Sequence, residues 1–309
     1  MESIRVFAPA TVANVGCAFD VLGFAVAQPG DEVLVQLSDS PGVTITTITG
    51  DGGRLPTDPR KNTAGVSILA FLAATGIRQG VLLELHKQMP LGSGLGSSAA
   101  SAVAGVFAAN ALFNDPLETR ELLPFAMEGE RIACGSAHAD NVAPALLGGF
   151  VLIRSYAPLD IVCIPAPDEL YCTLVHPFIE IRTEDARRVL KKYIPLKSAV
   201  AQWGNVAGLV AGLLRTDYGL IGRSVQDHVV EPERSLLIPG FAQVKAAAMR
   251  AGAIGCSISG SGPALFALST HFETSQTVAE AMQAAFADIK IEARAFVSKI
   301  NNHGPEIRR

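Results

Sequence analysis

Short alternations of apolar and polar positions open the chain: Ile4-Arg5-Val6-Phe7, then residues 21–26, 32–37 and 43–49. Pro29-Gly30, Pro41-Gly42 and Gly50-Asp51-Gly52-Gly53 punctuate them, and a period of two bounded by such turn residues predicts a β-meander over the first fifty residues. From Asn62 the period lengthens. Val66, Leu69, Ala70 and Ala73 recur at helical spacing until Gly76 stops them, and residues 81–87 return to a strand. A glycine-rich turn leads into helical residues 97–110. Another helix is expected after Asp115-Pro116, with Asp115 as cap, Pro116 in the first turn, Glu118 at capping-box spacing and Pro124 kinking or ending it. Residues 136–144 read as a loop.

Strands are predicted at 150–153, 159–164 and 171–176, and helices start near Thr183, Ser198 and Pro239. A glycine-rich hairpin over 253–268, a helix over 273–289 and a strand over 291–297 complete the pattern. Strands and helices are mixed rather than strictly alternating, which predicts an α+β architecture twice over. A chain of 309 residues exceeds the usual limit of one core, so two domains are expected, 1–156 and 157–309, divided where the composition changes at Tyr156-Ala157-Pro158.

Composition narrows the classes. With 49% hydrophobic and 17% charged residues the chain is globular, and a net charge of −4 without a basic run gives no footprint for nucleic acid. The opening MESIRVFAPATVANVG has no apolar stretch of signal-peptide length, so a cytoplasmic protein is expected. The most apolar window, 97–113, is too short and too rich in Ser and Asn to span a bilayer, and no membrane partner is expected. Five cysteines, never spaced as CxxC, read as small core residues rather than as disulfides or zinc ligands.

Candidate chemistry begins at Pro90-Leu91-Gly92-Ser93-Gly94-Leu95-Gly96-Ser97-Ser98, a strand-to-helix turn whose glycines let backbone N–H groups converge on an anion. No Lys follows the glycines and serines replace the last glycine of a dinucleotide fingerprint, so this is neither a Walker loop nor a Rossmann turn. Read locally, it is also compatible with a tight turn capped by Ser97. Arg187 lies four residues beyond Thr183, so a helix capped by Thr183 would present both on one side; Arg234 follows Pro232 and has the same chemistry to offer. Taken singly, each arginine reads as a solvated ion pair. Of Glu128 and Glu130, two apart and so facing different ways, Glu130 is the candidate for a site. His138 with Asp140 is too few ligands for zinc. Asn62 or Thr63 reads as a helix cap, and Gly260-Ser261-Gly262 as a hairpin turn.

PLGSGLGSSAA closely resembles the ATP-binding motif of the GHMP small-molecule kinases. Ala8-Pro9-Ala10-Thr11-Val12-Ala13-Asn14-Val15-Gly16 with Phe19-Asp20-Val21-Leu22-Gly23, and Gly255-Cys256-Ser257-Ile258-Ser259-Gly260-Ser261-Gly262-Pro263, are similar to the first and third motifs of that superfamily in order and spacing. Asn14, Asp20 and His138-Ala139-Asp140-Asn141-Val142-Ala143-Pro144 look like the branch that phosphorylates L-homoserine, except that Cys17-Ala18 stands where that branch commonly has Pro-Gly. Thr11 stands where sugar and mevalonate relatives carry a Lys.

The resemblance implies an N-terminal domain like the second domain of ribosomal protein S5 and a ferredoxin-like C-terminal domain. It implies ATP and Mg²⁺, transfer to the hydroxyl of L-homoserine on the route to threonine, and a homodimer as the assembly to look for. Residue by residue, it implies that Pro90 to Ser98 cradle the phosphates, with Gly260 and Ser261 beside them and Asn62 near the base. Ser98 and Glu130 hold Mg²⁺. Arg187 and Arg234 hold the substrate carboxylate, Asp20 meets the ammonium and Asn14 approaches the hydroxyl; Thr183, His138 and Asp140 are further substrate-binding candidates, and Asn14, Asp140 and Asn141 the catalytic candidates. Whether Asp140 acts as a base stays open, as does a metabolite-binding protein that has kept the fold but not the transfer.

Overall fold

The computed structural model describes residues 3–135 and 138–308. The first half runs β1 (Ser3–Ala13), β2 (Leu22–Ser38), β3 (Val43–Thr49), α1 (Thr63–Thr75), β4 (Gly80–His86), α2 (Ser97–Leu112), α3 (Leu123–Cys134), α4 (Ala139–Leu147), β5 (Phe150–Tyr156) and β6 (Leu159–Ile164). Then follow β7 (Tyr171–Pro177), α5 (Thr183–Arg188), α6 (Leu196–Arg215), α7 (Tyr218–Ser224), α8 (Glu231–Arg234), α9 (Phe241–Arg250), β8 (Gly255–Ile258), β9 (Leu265–Ser269), α10 (Phe272–Asp288), β10 (Ala293–Lys299) and β11 (Glu306–Arg308).

The strands form two sheets, as α+β patterning twice over predicts. The larger has seven strands, ordered β11-β1-β2-β4-β3, with β5 pairing β2 and β6 pairing β5. Four helices, α1 to α4, pack around its inner face. Asn62 caps α1 through Oδ1, which accepts from Ala64 N and Gly65 N, and Gly76 ends it in the left-handed conformation. α2 lies at the centre: built of Ala, Ser, Gly and Val with few large side chains, it touches β1, β2, α1 and α3, and none of its residues is exposed. The smaller sheet, ordered β10-β7-β9-β8, places its strands in the ferredoxin-like order. Phe241, Val244 and Ala248 of α9 and Val278, Met282 and Phe286 of α10 build its own core with Val175, Leu265 and Ala267.

Several elements depart from the sequence pattern. Pro29-Gly30 does not end a strand: β2 continues through it, and its pairing with β1 jumps from Pro9↔Gly30 to Thr11↔Ala25. Gly30 makes this possible because a Cβ there would lie 2.3 Å from the Phe7 ring. The capping box sits at Glu118 and Glu121, on a 3₁₀ turn, Thr119–Leu122, and Pro124 starts α3 rather than breaking a helix. Asp115 instead accepts from Asn110 Nδ2 at 3.0 Å. Arg182, not Thr183, is the N-cap of α5. The short helices α7 and α8 and the strand β11 were not expected. β11 pairs with β1, and β6 extends the larger sheet beyond residue 156. Cys17, Cys172 and Cys256 are buried, whereas Cys163 is exposed, against expectation; the side chain of Cys134 lies outside the described residues.

The expected loop at 136–144 holds α4; residues 136 and 137 themselves lie outside the described residues. Pro144 sits inside this helix and cannot donate to Asp140 C=O. That carbonyl lies against Gly23 of β2, where a Cβ would be 1.8 Å from the oxygen. The pairing of a proline with a glycine across two elements thus seats the helix that carries Asp140 and Asn141. Gly23→Ala should push α4 off the sheet and destabilise the protein by about 1–3 kcal/mol, as overpacking does; chemical denaturation reads this, and an unchanged midpoint would show that α4 is not seated by that contact.

Candidate active site

The turn between β4 and α2 folds because its three glycines take positive φ: Gly92 at 66°, Gly94 at 78° and Gly96 at 70°. Gly94 and Gly96 are required twice over. A Cβ on Gly94 would lie 2.5 Å from Ser259 O, and one on Gly96 would lie 2.0 Å from Thr11 Oγ1. Both approaches arise because the turn is stitched to strand β1 and to the turn between β8 and β9. Thr11 N donates to Leu95 O at 3.0 Å, Ala264 N to Ser93 O at 3.1 Å, Gly260 N to Ala13 O at 3.2 Å, and Ser259 Oγ to Gly94 O at 2.7 Å. Gly96 is the N-cap of α2, so Ser97 is not a cap but opens the first turn. Its hydroxyl donates to Asp31 Oδ2 at 2.8 Å, and Ser98 Oγ donates to Glu130 Oε2 of α3 at 2.7 Å. Orphan N–H groups of the buried α2 therefore face the cleft, with the positive end of the helix dipole.

Beneath the turn lies a charge that the sequence reading did not place. Lys87 is buried; its Nζ contacts Asp31 Oδ2, Ser97 O at 2.8 Å and Ser101 Oγ at 2.6 Å. Asp31 Oδ1 also accepts from Gln88 N at 2.8 Å and Met89 N at 3.0 Å. Burial pulls the Lys87 ammonium below the ordinary lysine value while Asp31 opposes it. A lysine ending a strand looks solvated in sequence. Only the antiparallel pairing of β2 with β4, which sets Glu32 opposite His86, brings Asp31 beside it.

Across the cleft, the loop after β1 is a set of turns held by its own backbone: Ala18 N donates to Asn14 O at 2.8 Å and Leu22 N to Ala18 O at 3.2 Å. Cys17 and Ala18 are buried there, and Gln202 Nε2 of α6 donates to Cys17 O at 2.6 Å. Burial pushes the Cys17 thiol up to about 12. Asn14 Nδ2 donates to Gly260 O at 2.8 Å and its Oδ1 accepts from Asp20 N at 3.0 Å, which fixes Asp20 at φ 60°. Arg187 forks onto Asp20, with Nη1 to Oδ2 at 3.1 Å and Nη2 to Oδ1 at 2.8 Å. Arg234 is buried and donates from Nε to Ala186 O and from Nη1 to Gly260 O, both at 3.0 Å. Phe19 lies against both guanidiniums, its ring centroid 5.4 Å from Arg187 Cζ and 5.0 Å from Arg234 Cζ. Burial and then Arg187 lower Arg234 to about 10.

α4 supplies the floor between these walls. Thr11 Oγ1 donates to Asn141 Oδ1 at 2.8 Å, so the threonine orients an amide. His138 caps α4 with Nδ1 4.0 Å from Asp20 Oδ2; burial lowers its pKa, Asp20 opposing. Asp140 is buried beside them. Thr183 Oγ1 lies 3.4 Å from Ser261 Oγ, closing the rim.

One cavity joins all of this. Asn14, Asp20, Asn62, Ser98, Glu130, His138, Asp140, Asn141, Thr183, Arg187, Arg234, Gly260 and Ser261 line it with Leu91 to Ser98, Leu95 excepted. Leu95 is fully buried under the turn and Pro90 stands outside the lining. Asn62 lines the cavity, but its Oδ1 caps α1 and its Nδ2 donates to Pro56 O at 3.2 Å, so one N–H remains for a ligand. Leu55, Pro56, Ile132 and Ser101, none singled out in the sequence, complete the walls with Ala13, Lys61, Thr63 and Lys87.

A glycine turn opening a buried helix, locked to β1 and to the glycine turn between β8 and β9 of a ferredoxin-like sheet, defines a small-molecule kinase of the GHMP class. Residues 62–149 match the family model described as GHMP kinases N terminal domain, and residues 209–288 match GHMP kinases C terminal. The chain is 54% identical to homoserine kinase of Chlorobium phaeobacteroides (strain BS1) over 319 aligned positions, covering 99% of this chain and 100% of that protein. It is 63% identical to a crystal structure of homoserine kinase from Cytophaga hutchinsonii, with a TM-score of 0.98 over 100% of this chain and 98% of that one. It belongs to the homoserine kinase family. Mevalonate kinase of L. major, solved with R-mevalonate, shares the fold at 15% identity, with a TM-score of 0.72 over 95% of each chain.

Asp140 yields a test of the site's electrostatics. Burial, reinforced by Asp20 and Glu130, pushes its carboxyl from 3.8 up to about 7. Between those values the folded protein holds a proton that the unfolded chain has released. Stability is therefore lost as pH rises through that window, by roughly 4 kcal/mol once the group is ionised. Asp140→Asn should raise the melting temperature of the ligand-free protein at pH 8 and raise it much less at pH 4.5; equal shifts at both would show that the carboxyl is not held in this way.

Proposed function

We propose that the cavity transfers the γ-phosphoryl group of ATP to the hydroxyl of L-homoserine, giving O-phospho-L-homoserine and ADP in threonine biosynthesis. The observation that carries this reading is the Arg187–Asp20 pair beside Asp140, in the same cavity as the phosphate turn. An α-amino acid brings a carboxylate for Arg187 and an ammonium for Asp20, so its two charges take over the partners that the residues now offer each other. Mevalonate has no ammonium for Asp20. Arg234, with two of its N–H groups on backbone carbonyls, keeps the others for the same carboxylate. Thr183 adds a hydroxyl at the rim.

The N–H groups of Leu91 to Ser98 receive the phosphates, with Gly260 and Ser261 on the facing loop, and Leu55, Pro56, Asn62 and Ile132 enclose the base. Ser98 Oγ and Glu130 Oε2, hard oxygens 2.7 Å apart, fit Mg²⁺, which takes few protein ligands alongside phosphate and water oxygens. Among the described residues no group of three or more His, Cys, Asp or Glu could hold a metal ion. When bound, the ion supplies neutralisation of phosphate charge. Asp140 accepts the hydrogen bond of the substrate hydroxyl and orients it, while Asn14, His138 and Asn141 fix the residues around it. The hydroxyl oxygen bonds to the γ-phosphorus as the bridge to the β-phosphate breaks, and the hydroxyl proton passes late to an oxygen of the transferred phosphoryl group and from there to solvent, so orientation outweighs base strength. Among the described residues no helix is long and apolar enough to cross a membrane.

The deciding experiment is ADP release with L-homoserine, mevalonate, galactose and shikimate in parallel. L-homoserine alone should stimulate it; binding of L-homoserine without turnover would support a metabolite sensor. Arg187→Ala should raise the homoserine KM by roughly 30-fold or more, as loss of one partner of a desolvated pair does, and leave the ATP KM within about twofold. Equal damage to both would remove Arg187 from the carboxylate site. Glu130→Gln should slow transfer by about 10²-fold, the order expected when stabilisation of transferring charge is lost, with partial recovery at high Mg²⁺. A rate ratio to the parent that does not change with Mg²⁺ would overturn the metal assignment.

A further inference from the structure

Tyr156 ends β5 at the turn into β6, 41% exposed, in a position where a side chain has no obligation to pack. Its hydroxyl nevertheless sits between two backbone groups of the cleft. It donates to Asp20 O at 3.1 Å, across 136 residues of sequence, and accepts from Ala139 N at 3.3 Å. The first contact lies on a residue held at positive φ, a conformation that a non-glycine side chain keeps only when neighbours enforce it. The second satisfies the leading N–H of α4, which no cap side chain reaches: His138 makes no side-chain capping bond. The ring meets the His138 imidazole edge-on, centroids 6.4 Å apart.

We infer that Tyr156 is a positioning residue for the amino-acid substrate: its hydroxyl bolts the loop of Asp20 to the first turn of α4, fixing the distance between the carboxylate that meets the ammonium and the carboxyl that meets the hydroxyl. The ammonium and hydroxyl of an amino alcohol are separated by a short carbon chain, so this distance is a ruler for chain length. Asn14 ties Asp20 to the Gly260 loop, and Arg187 ties it to α5. His138, the N-cap residue of α4, approaches Asp20 only side chain to side chain, at 4.0 Å, whereas the Tyr156 hydroxyl joins the backbone of Asp20 to that of α4. Burial raises the phenol to about 12, so the hydroxyl keeps its proton to donate throughout the working pH range.

The inference rests on the reading of the cavity as a homoserine site. Tyr156→Phe keeps the ring and its contact with His138 and removes only the bolt. In the full-length protein we expect the KM for L-homoserine to rise about three- to tenfold, the scale of one or two neutral hydrogen bonds. The KM for ATP should stay within about twofold and the melting temperature within about two degrees. The discrimination of L-homoserine against L-serine, one carbon shorter, should fall, which a merely structural role would not produce. An unchanged homoserine KM, or a parallel rise in both KM values with a lower melting temperature, overturns the inference. A parent protein inert toward L-homoserine overturns the underlying reading, and is seen before the variant is compared.

Discussion

Thr11 N–H meets Leu95 C=O, Gly260 N–H meets Ala13 C=O, and Ser259 Oγ meets Gly94 C=O; this junction sets the distance between the two sheets of the molecule. β1 of the larger sheet and the β8–β9 turn of the smaller one are thereby locked to the same glycine turn. Backbone carbonyls in direct contact leave no room for a Cβ at Gly94 and little play in either sheet. Three side-chain contacts of the cleft run to this junction. Asn14 reaches Asp20 from it, Arg234 ends on Gly260, and Thr11 orients Asn141.

The cleft holds its charges against their own tendency. Lys87 and Arg234 are lowered and Asp140 is raised, in each case chiefly because burial disfavours the charged form. A pocket that keeps such groups dry gives up stability in the empty state. In return, dipoles and charges stand ready where phosphoryl charge moves, with little solvent to reorganise. Asp31 is the exception that makes this tolerable at the base of the turn: Lys87, Ser97 and two backbone N–H groups converge on it, so its carboxylate is fully compensated.

Local chemistry was legible at several points where one segment decides its own conformation, though the caps expected at Ser97 and Thr183 fall one residue earlier. The cap and stop of α1 at Asn62 and Gly76, the glycine turn before α2 and the hairpin around residue 260 follow from residues in sequence with one another. Features set by a distant partner were not. β2 crosses Pro29-Gly30 where Phe7 fills the space a side chain would need, and α4 keeps a helical course through Pro144 where Gly23, without a Cβ, leaves room for the freed carbonyl. Lys87 and Tyr156 belong to the same group: one resembles a solvated strand end and the other a boundary residue until the sheet brings Asp31 and Asp20 to them. The charged residues of the site stand out only through their motifs, since an isolated Arg187 or Glu130 carries no local signal of a ligand.

α2 carries a consequence of a different kind. Its central run from Ala99 to Ala109 is mostly Ala, Ser and Gly, residues with almost no rotamers to freeze, so ordering the helix that faces the phosphates forfeits little side-chain entropy. The same composition removes its tolerance to drift. No residue of the helix is exposed, and even at Gly105 an added Cβ would stand 3.0 Å from Ala64 O. A typical surface helix has an outer face on which neutral substitutions accumulate; this one has none, and its neighbours α1 and α3 inherit the constraint, since any enlargement of the helix must be matched by shrinkage in them.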